Sequence, residues 1–230
     1  MLHGTARIVR ALILGAALWM GGCRCKTPVP AGAPTPPPAA QLSVPFEQQQ
    51  GCKWCWGATT VMALKTLGHP ADQCSVVQKV YPHLTCCPGG VPPGMTNCSG
   101  PLKPCDSTGW PPFKKLGFRS CRTKDTALSF ERLMHEIGTS SRPVLFAVEM
   151  ADSNGSRSGV GHIMVAGGYK TVGGDRFVEV YDPLCPAPTS PSDPPCAYRL
   201  LSYEAYVEEK DLAGMPVYLH WDDFYEIRKK

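Results

Sequence analysis

The stretch Gln49-Gln50-Gly51-Cys52-Lys53-Trp54-Cys55-Trp56 decides how the rest of the chain is read. It runs directly into Gly57-Ala58-Thr59-Thr60-Val61-Met62-Ala63-Leu64-Lys65-Thr66-Leu67, where Val61, Leu64 and Leu67 recur at helical separation. Gly68-His69-Pro70 ends that pattern. Cys55 is therefore expected at or near the N-terminus of a largely buried helix. Unpaired N–H groups and the positive end of the helix dipole favour a thiolate there, and the thiolate is the nucleophilic form. Position alone marks Cys55 as a candidate nucleophile.

The spacing Gln-x5-Cys-Trp, from Gln49 to Trp56 at the head of a helix, resembles that of the papain-like cysteine peptidases. The family's Cys-Gly-[Ser/Ala]-Cys-[Trp/Tyr] signature reads Cys52-Lys53-Trp54-Cys55-Trp56 here, so the middle two residues depart. The match is closer to the compact bacterial branch, the staphopain-like and secreted-effector peptidases. The resemblance implies an α+β fold, disulfide-rich, with a helical lobe led by the active-site helix packed on a curved antiparallel sheet. It also implies a Cys-His-Asp triad acting on a protein or peptide substrate, with no cofactor and no metal.

A thiol nucleophile needs a base that can also protonate the leaving amine. Of six histidines, His3 lies in the N-terminal apolar stretch, and His69 and His83 sit beside prolines in turns. His135 falls among charged residues on a helix, which reads as surface, and His220 reads as ending a strand. His162 opens an apolar strand behind Gly159-Val160-Gly161, small residues that would let a substrate backbone approach. The family carries a Gly-His-apolar strand in this position, so the resemblance selects His162 over a satisfied strand-end histidine. Period-two alternation puts Val178, Val180 and Asp182 on one strand face and His162, Met164 and Ala166 on another. Asp182 matches the orienting residue of the family, against a turn-forming Asp-Pro. By resemblance Gln49 and the Cys55 N–H hold the oxyanion, with Gln50 open if the loop is one residue out of register. Trp56 is either a shield on the imidazole edge or a core aromatic. The 107 residues from Cys55 to His162 fall short of the roughly 130–150 of papain proper, which fits a reduced second lobe.

Outside the site, residues 1–22 combine Arg7 and Arg10 with an apolar run too short to span a bilayer comfortably. Gly21-Gly22-Cys23 resembles a bacterial lipoprotein signal, after which Cys23 would be the lipidated N-terminus; an ordinary cleaved signal is the alternative. Residues 23–40 are rich in proline and alanine and read as a semi-rigid linker. Residues 41–230 make one domain. The reading is an exported lipoprotein, at the outer membrane, periplasm or cell surface, or otherwise secreted, and a monomer. The formal charge of +4, falling to +2 once residues 1–22 are removed, is too mild to imply nucleic acid.

Twelve cysteines in an exported chain read as disulfides. With Cys23 and Cys55 set aside, the domain holds Cys52, Cys74, Cys86, Cys87, Cys98, Cys105, Cys121, Cys185 and Cys196. That set is odd, so one is free or pairs with Cys25. By resemblance, Cys52 would tie the active-site loop to the Cys86–Cys98 region; Cys185 and Cys196 would close their own loop. Helices are expected over 72–81, 126–137 and 203–209, strands over 143–148, 161–169, 176–183 and 215–221, and a long cystine-held loop over 85–112. The rival readings are a thiol-disulfide protein using Cys52 and Cys55, a zinc site at Cys86, Cys87, Cys98 and Cys105, a non-catalytic binding protein of the same fold, and a related acyl transfer such as amidase or transglutaminase-like chemistry.

Overall fold

Alternation of apolar residues between 144 and 181 sorts side chains onto the two faces of a central sheet, and both faces are buried. The computed structural model describes residues 25, 29, 32–87, 105–185 and 198–230. In chain order the elements are β1 (Ala39–Gln41), α1 (Cys55–Thr66), α2 (Gln73–Val80), β2 (Phe118–Arg122) and α3 (Phe130–Met134). A π-helical turn (His135–Thr139) follows, then β3 (Val144–Ala151), β4 (Arg157–Val172), β5 (Asp175–Tyr181), β6 (Tyr198–Ser202), α4 (Tyr203–Val207), β7 (Glu208–Lys210) and β8 (Pro216–Lys229). The sheet runs β2-β8-β3-β4-β5-β6, with β1 on β4 and β7 on β8, and the pairings are antiparallel. The α+β class and antiparallel sheet are as expected.

On one face Leu145, Ala147, Ile163 and Val165 pack against Trp56, Val61, Met62 and Leu64 of α1 and Val76 and Val77 of α2. On the other, Val144, Phe146, Val148, Met164, Ala166, Val178 and Val180 pack against Phe130, Leu133, Ile137 and Tyr206. Each such side chain contributes about 1.5–3 kcal/mol on leaving water. A one-residue slip would exchange the two faces, so the register is strongly held. The lobe led by α1 packs on one face of the sheet, as expected, and α3, the π-helical turn and α4 cover the other.

The last strand was expected to stop at Trp221 but runs on to Lys229. Its second half holds acids that sequence pattern could not place. Arg132 lies buried, 2.8 Å from Glu136 and 2.6 Å from Glu226. The third helix starts four residues later than expected, because Ser129 caps it through the Arg132 N–H. Gly138 lies within the π-helical turn, where Gly was expected to stop the helix.

Residues 32–40 fall in the stretch expected as a linker over 23–40. Here the Tyr169 hydroxyl donates to Pro37 O, the Thr171 N–H donates to Pro38 O, and residues 39–41 add a strand to β4. Cys25 is disulfide-bonded to Cys121, which resolves the odd cysteine count. Cys74–Cys87 and Cys86–Cys105 tie α2 to the segment at 105. Within the Cys86–Cys98 region, to which Cys52 was expected to tie the active-site loop, Cys86 pairs with Cys105 and Cys87 with Cys74. Cys52 and Cys185 are also disulfide-bonded. Cys23, Cys98 and Cys196 lie outside the described residues. These bonds are those of a chain that folds in an oxidising compartment, as an exported protein does. Among the described residues no helix is long and apolar enough to cross a membrane.

Candidate active site

Cys55 is the first residue of α1 and the one free cysteine among the described residues. The helix behind it is buried from Trp56 to Leu64, so its start is fixed by packing rather than by a side-chain cap. The two tryptophans beside Cys55 anchor the chain that follows the Cys86–Cys105 bond. The Trp54 indole donates to Cys105 O at 2.7 Å and the Trp56 indole to Ser107 O at 3.1 Å. Trp56 is fully buried and meets Tyr81 edge-on, so it is a core aromatic rather than a cover for the imidazole.

His162 and Asp182 come together across the β4–β5 ladder. Val165 pairs with Tyr181, so the next residue, Asp182, falls opposite Met164 and diagonal to His162 at the end of the ladder. His162 Nε2 lies 2.7 Å from Asp182 Oδ1. Asp182 also accepts the Leu184 N–H at 3.0 Å, which fixes its carboxylate. Burial works against the imidazolium. Hydrogen bonds to Asp182 and to the Cys55 thiol, with the charges of both, outweigh it and raise the His162 pKa to about 9. For Asp182 burial also opposes the charged form, and the bond and charge of His162 prevail to hold it below the usual carboxylate range. The residue types read from sequence as nucleophile, base and orienter thus converge on one place.

Gln49 is in the site but is held differently from the expectation. Its amide is buried, and Nε2 donates to Gly51 O and Cys52 O, both at 3.0 Å. It braces the loop that delivers Cys55, where a side chain facing an open cleft was expected. Its backbone N–H donates to Pro183 O at 2.9 Å, linking this loop to the residue after Asp182. The Gln50 N–H instead bonds Gln73 Oε1 on α2, which argues against a one-residue shift of register.

The cavity at this site, of about 680 Å³, is lined mainly by apolar groups. Trp110, Met150, Val160, Leu184 and Trp221 surround Cys55, His162 and Gln49. The ring of Trp221 meets that of Trp110 edge-on at 4.8 Å, and the Arg122 guanidinium lies 3.9 Å over Trp110. Of these wall residues only Val160 was read from sequence, within Gly159-Val160-Gly161; Trp110 comes from the cystine-held loop and Trp221 from β8. Pro111-Pro112 after Trp110 was the one local sign that the segment is rigid.

His220, expected at a strand end, is buried within β8, with Nδ1 3.0 Å from Tyr206 O. Its Nε2 is 3.1 Å from Asp223 Oδ2, an ion-pair contact rather than an aligned hydrogen bond. His135 is half-buried beside Glu136 and Arg132, not on the open surface as expected.

Two rival readings lose ground here. Cys52 is bonded elsewhere than to Cys55, so the Cys-x-x-Cys pair is not a dithiol couple. Cys86 and Cys105 are joined to each other and Cys87 to Cys74, which removes those thiols from a zinc site.

No protein-family model and no curated protein matches the chain. Among solved structures the fold is similar to digestive procathepsin L 3 of Tenebrio molitor larval midgut. That match has a TM-score of 0.43 and 11% identity, and covers 84% of this chain and 72% of that one. It is also similar to a structure from work on antibody cross-reactivity between the mite allergens Blo t 1 and Der p 1. There the TM-score is 0.46 and the identity 13%, over 87% of this chain and 74% of that one. Both likenesses are distant, and what the site can do is read from its own geometry.

Proposed function

We propose that the chain is a papain-like thiol peptidase. The observation that carries this is the convergence of a free cysteine at the head of a buried helix with a histidine bonded to a carboxylate, beside an apolar cavity. The Cys55 thiolate attacks a peptide carbonyl carbon, forming a C–S bond. The His162 imidazolium gives its proton to the departing amine as the C–N bond breaks. Neutral His162 then takes a proton from water, which attacks the thioester and releases the acid and Cys55. Asp182 keeps Nε2 protonated, so that Nδ1 faces the thiol. The Cys55 N–H and the Gln49 amide hold the oxyanion, the latter exchanging a loop carbonyl for it.

The same proposal makes the chain a monomeric exported lipoprotein, anchored through Cys23 and taking a protein or peptide substrate. An amidase or acyl transferase would use the same steps with a different leaving group or acceptor. The test is to incubate the protein with an irreversible thiol-directed peptidase probe near neutral pH and map the labelled residue. Cys55 is expected to carry the label, and Cys55→Ala to abolish both label and peptide turnover. Labelling of Cys52, or turnover that survives Cys55→Ala, refutes the reading.

A further inference from the structure

We infer that Glu149 and Arg157 are positioning residues: a buried carboxylate paired with a surface guanidinium holds the two strand bulges that build the sheet wall of the cavity. The inference rests on the peptidase reading and adds how the substrate-facing edge is set.

The first bulge is in β4. Glu149 of β3 pairs with Gly161, but Ala151 pairs with Arg157, so Ser158, Gly159 and Val160 stand against the single residue Met150. Gly159 has φ +79°, a backbone that favours glycine. Gly159, Val160 and Gly161 line the cavity directly before His162, and Val160 is 62% exposed. The second bulge is in β8. Val148 pairs with His220 and Ala147 with Asp222, which leaves Trp221 as the extra residue. Trp221 lies against Gly161 so closely that a Cβ there would stand 2.9 Å from its ring.

A bulge takes backbone groups out of the ladder, and they need other partners. Glu149 supplies them. Its Oε1 accepts the Gly159 N–H at 2.6 Å and its Oε2 accepts from Arg157 at 2.9 Å. The other arm of Arg157 donates to His220 O at 2.7 Å, on the residue just before Trp221. One pair therefore ties the β4 bulge to the β8 bulge. Glu149 is 5% exposed, which shields its carboxylate, while Arg157 keeps about a third of its side chain at the surface. An extended peptide reaching Cys55 from this side lies along Gly159 to Gly161 and against Trp221. Glu149 and Arg157 touch neither the thiol nor the Asp182 carboxylate in the contacts described above, so they set the wall and leave the reactivity of Cys55 alone.

The test compares two alkylating reagents on the whole protein. Iodoacetamide needs only a reactive Cys55; an apolar dipeptidyl chloromethyl ketone must also lie along the wall. In wild type the peptidyl reagent is expected to react faster. Glu149→Gln is expected to slow the peptidyl reagent about 10- to 100-fold and to leave the iodoacetamide rate unchanged. Arg157→Lys, which cannot reach both partners, is expected to fall between the two. The double variant Glu149→Leu with Arg157→Met leaves no lone buried charge and is expected to behave like Glu149→Gln. Equal slowing of both reagents, or no slowing, overturns the proposal. So does failure of both Glu149→Gln and the double variant to fold, because the pair would then hold the fold rather than the wall. A wild type that labels at Cys55 with no advantage for the peptidyl reagent overturns the peptidase reading and this inference with it.

Discussion

Replacing Asp182 by asparagine keeps a hydrogen-bonding group beside His162 and removes its charge. In the folded protein His162 is raised from 6.5 to about 9. That difference corresponds to roughly 3 kcal/mol in favour of the imidazolium, or about 300-fold. Burial opposes it, so the support from Asp182 and Cys55 together exceeds the net figure. With the carboxylate charge gone, burial is met by Cys55 alone. The alkaline limb of kcat/KM, which reports the imidazolium of the free enzyme, is then expected to move down from near pH 9 by about one to two pH units. Asp182→Ala, which also frees the ring to rotate, is expected to lose turnover at all pH values. Stability should follow the same linkage. Because the folded pKa lies above the unfolded one, the contribution of His162 is fully present below about pH 6.5 and is lost as pH rises through about 9. In Asp182→Asn that loss should still begin near pH 6.5 but be smaller and complete at lower pH. The assay is peptide kcat/KM and the urea midpoint, each against pH, for both variants and wild type. An alkaline limb that stays near pH 9 in Asp182→Asn refutes the assignment of Asp182 as the group that holds His162 charged.

Gln49→Ala is expected to lower peptide turnover about 10²- to 10³-fold while leaving the iodoacetamide rate of Cys55 nearly unchanged, since no oxyanion forms in alkylation. Because the Gln49 amide is buried on two loop carbonyls, the same variant should also cost about 1–3 kcal/mol of stability, read from the urea midpoint; an unchanged midpoint would contradict the bracing role. Asp223→Ala removes the acceptor of the Tyr206 hydroxyl and the Leu128 N–H and leaves buried His220 without its carboxylate, so it should destabilise by about 3–5 kcal/mol with Cys55 labelling intact in whatever fraction stays folded. Cys23→Ser should move the protein from the membrane fraction to the soluble one, or leave it unprocessed; a wild-type protein that is already soluble, with a free N-terminus beyond Cys23, would rule out the anchor.

The sequence by itself determined the local features that one element can specify. The apolar spacing behind Cys55 made a buried helix, and helix geometry put the thiol at its first turn. Two-residue alternation around Gly173-Gly174 made the β4–β5 hairpin, but it takes a bulge at Gly167, which the sequence did not show, to bring Asp182 opposite Met164 and beside His162. Asp72 was legible as the start of the second helix and now caps it through the Ser75 N–H. Tertiary structure decided whatever depends on contacts between distant segments. Bulges have no signature in composition, so Trp221 could not be read, and Gly159-Val160-Gly161 was legible as a substrate approach but not as a bulge. Cysteine pairing depends on which loops meet in space, which is why Cys86 finds Cys105 and Cys25 finds Cys121. The run of acids in β8 looked like the end of a strand because charge is costly to bury. It continues because Arg122, Arg132 and Tyr206, brought in from three other elements, satisfy the carboxylates of Asp222, Glu226 and Asp223 in turn.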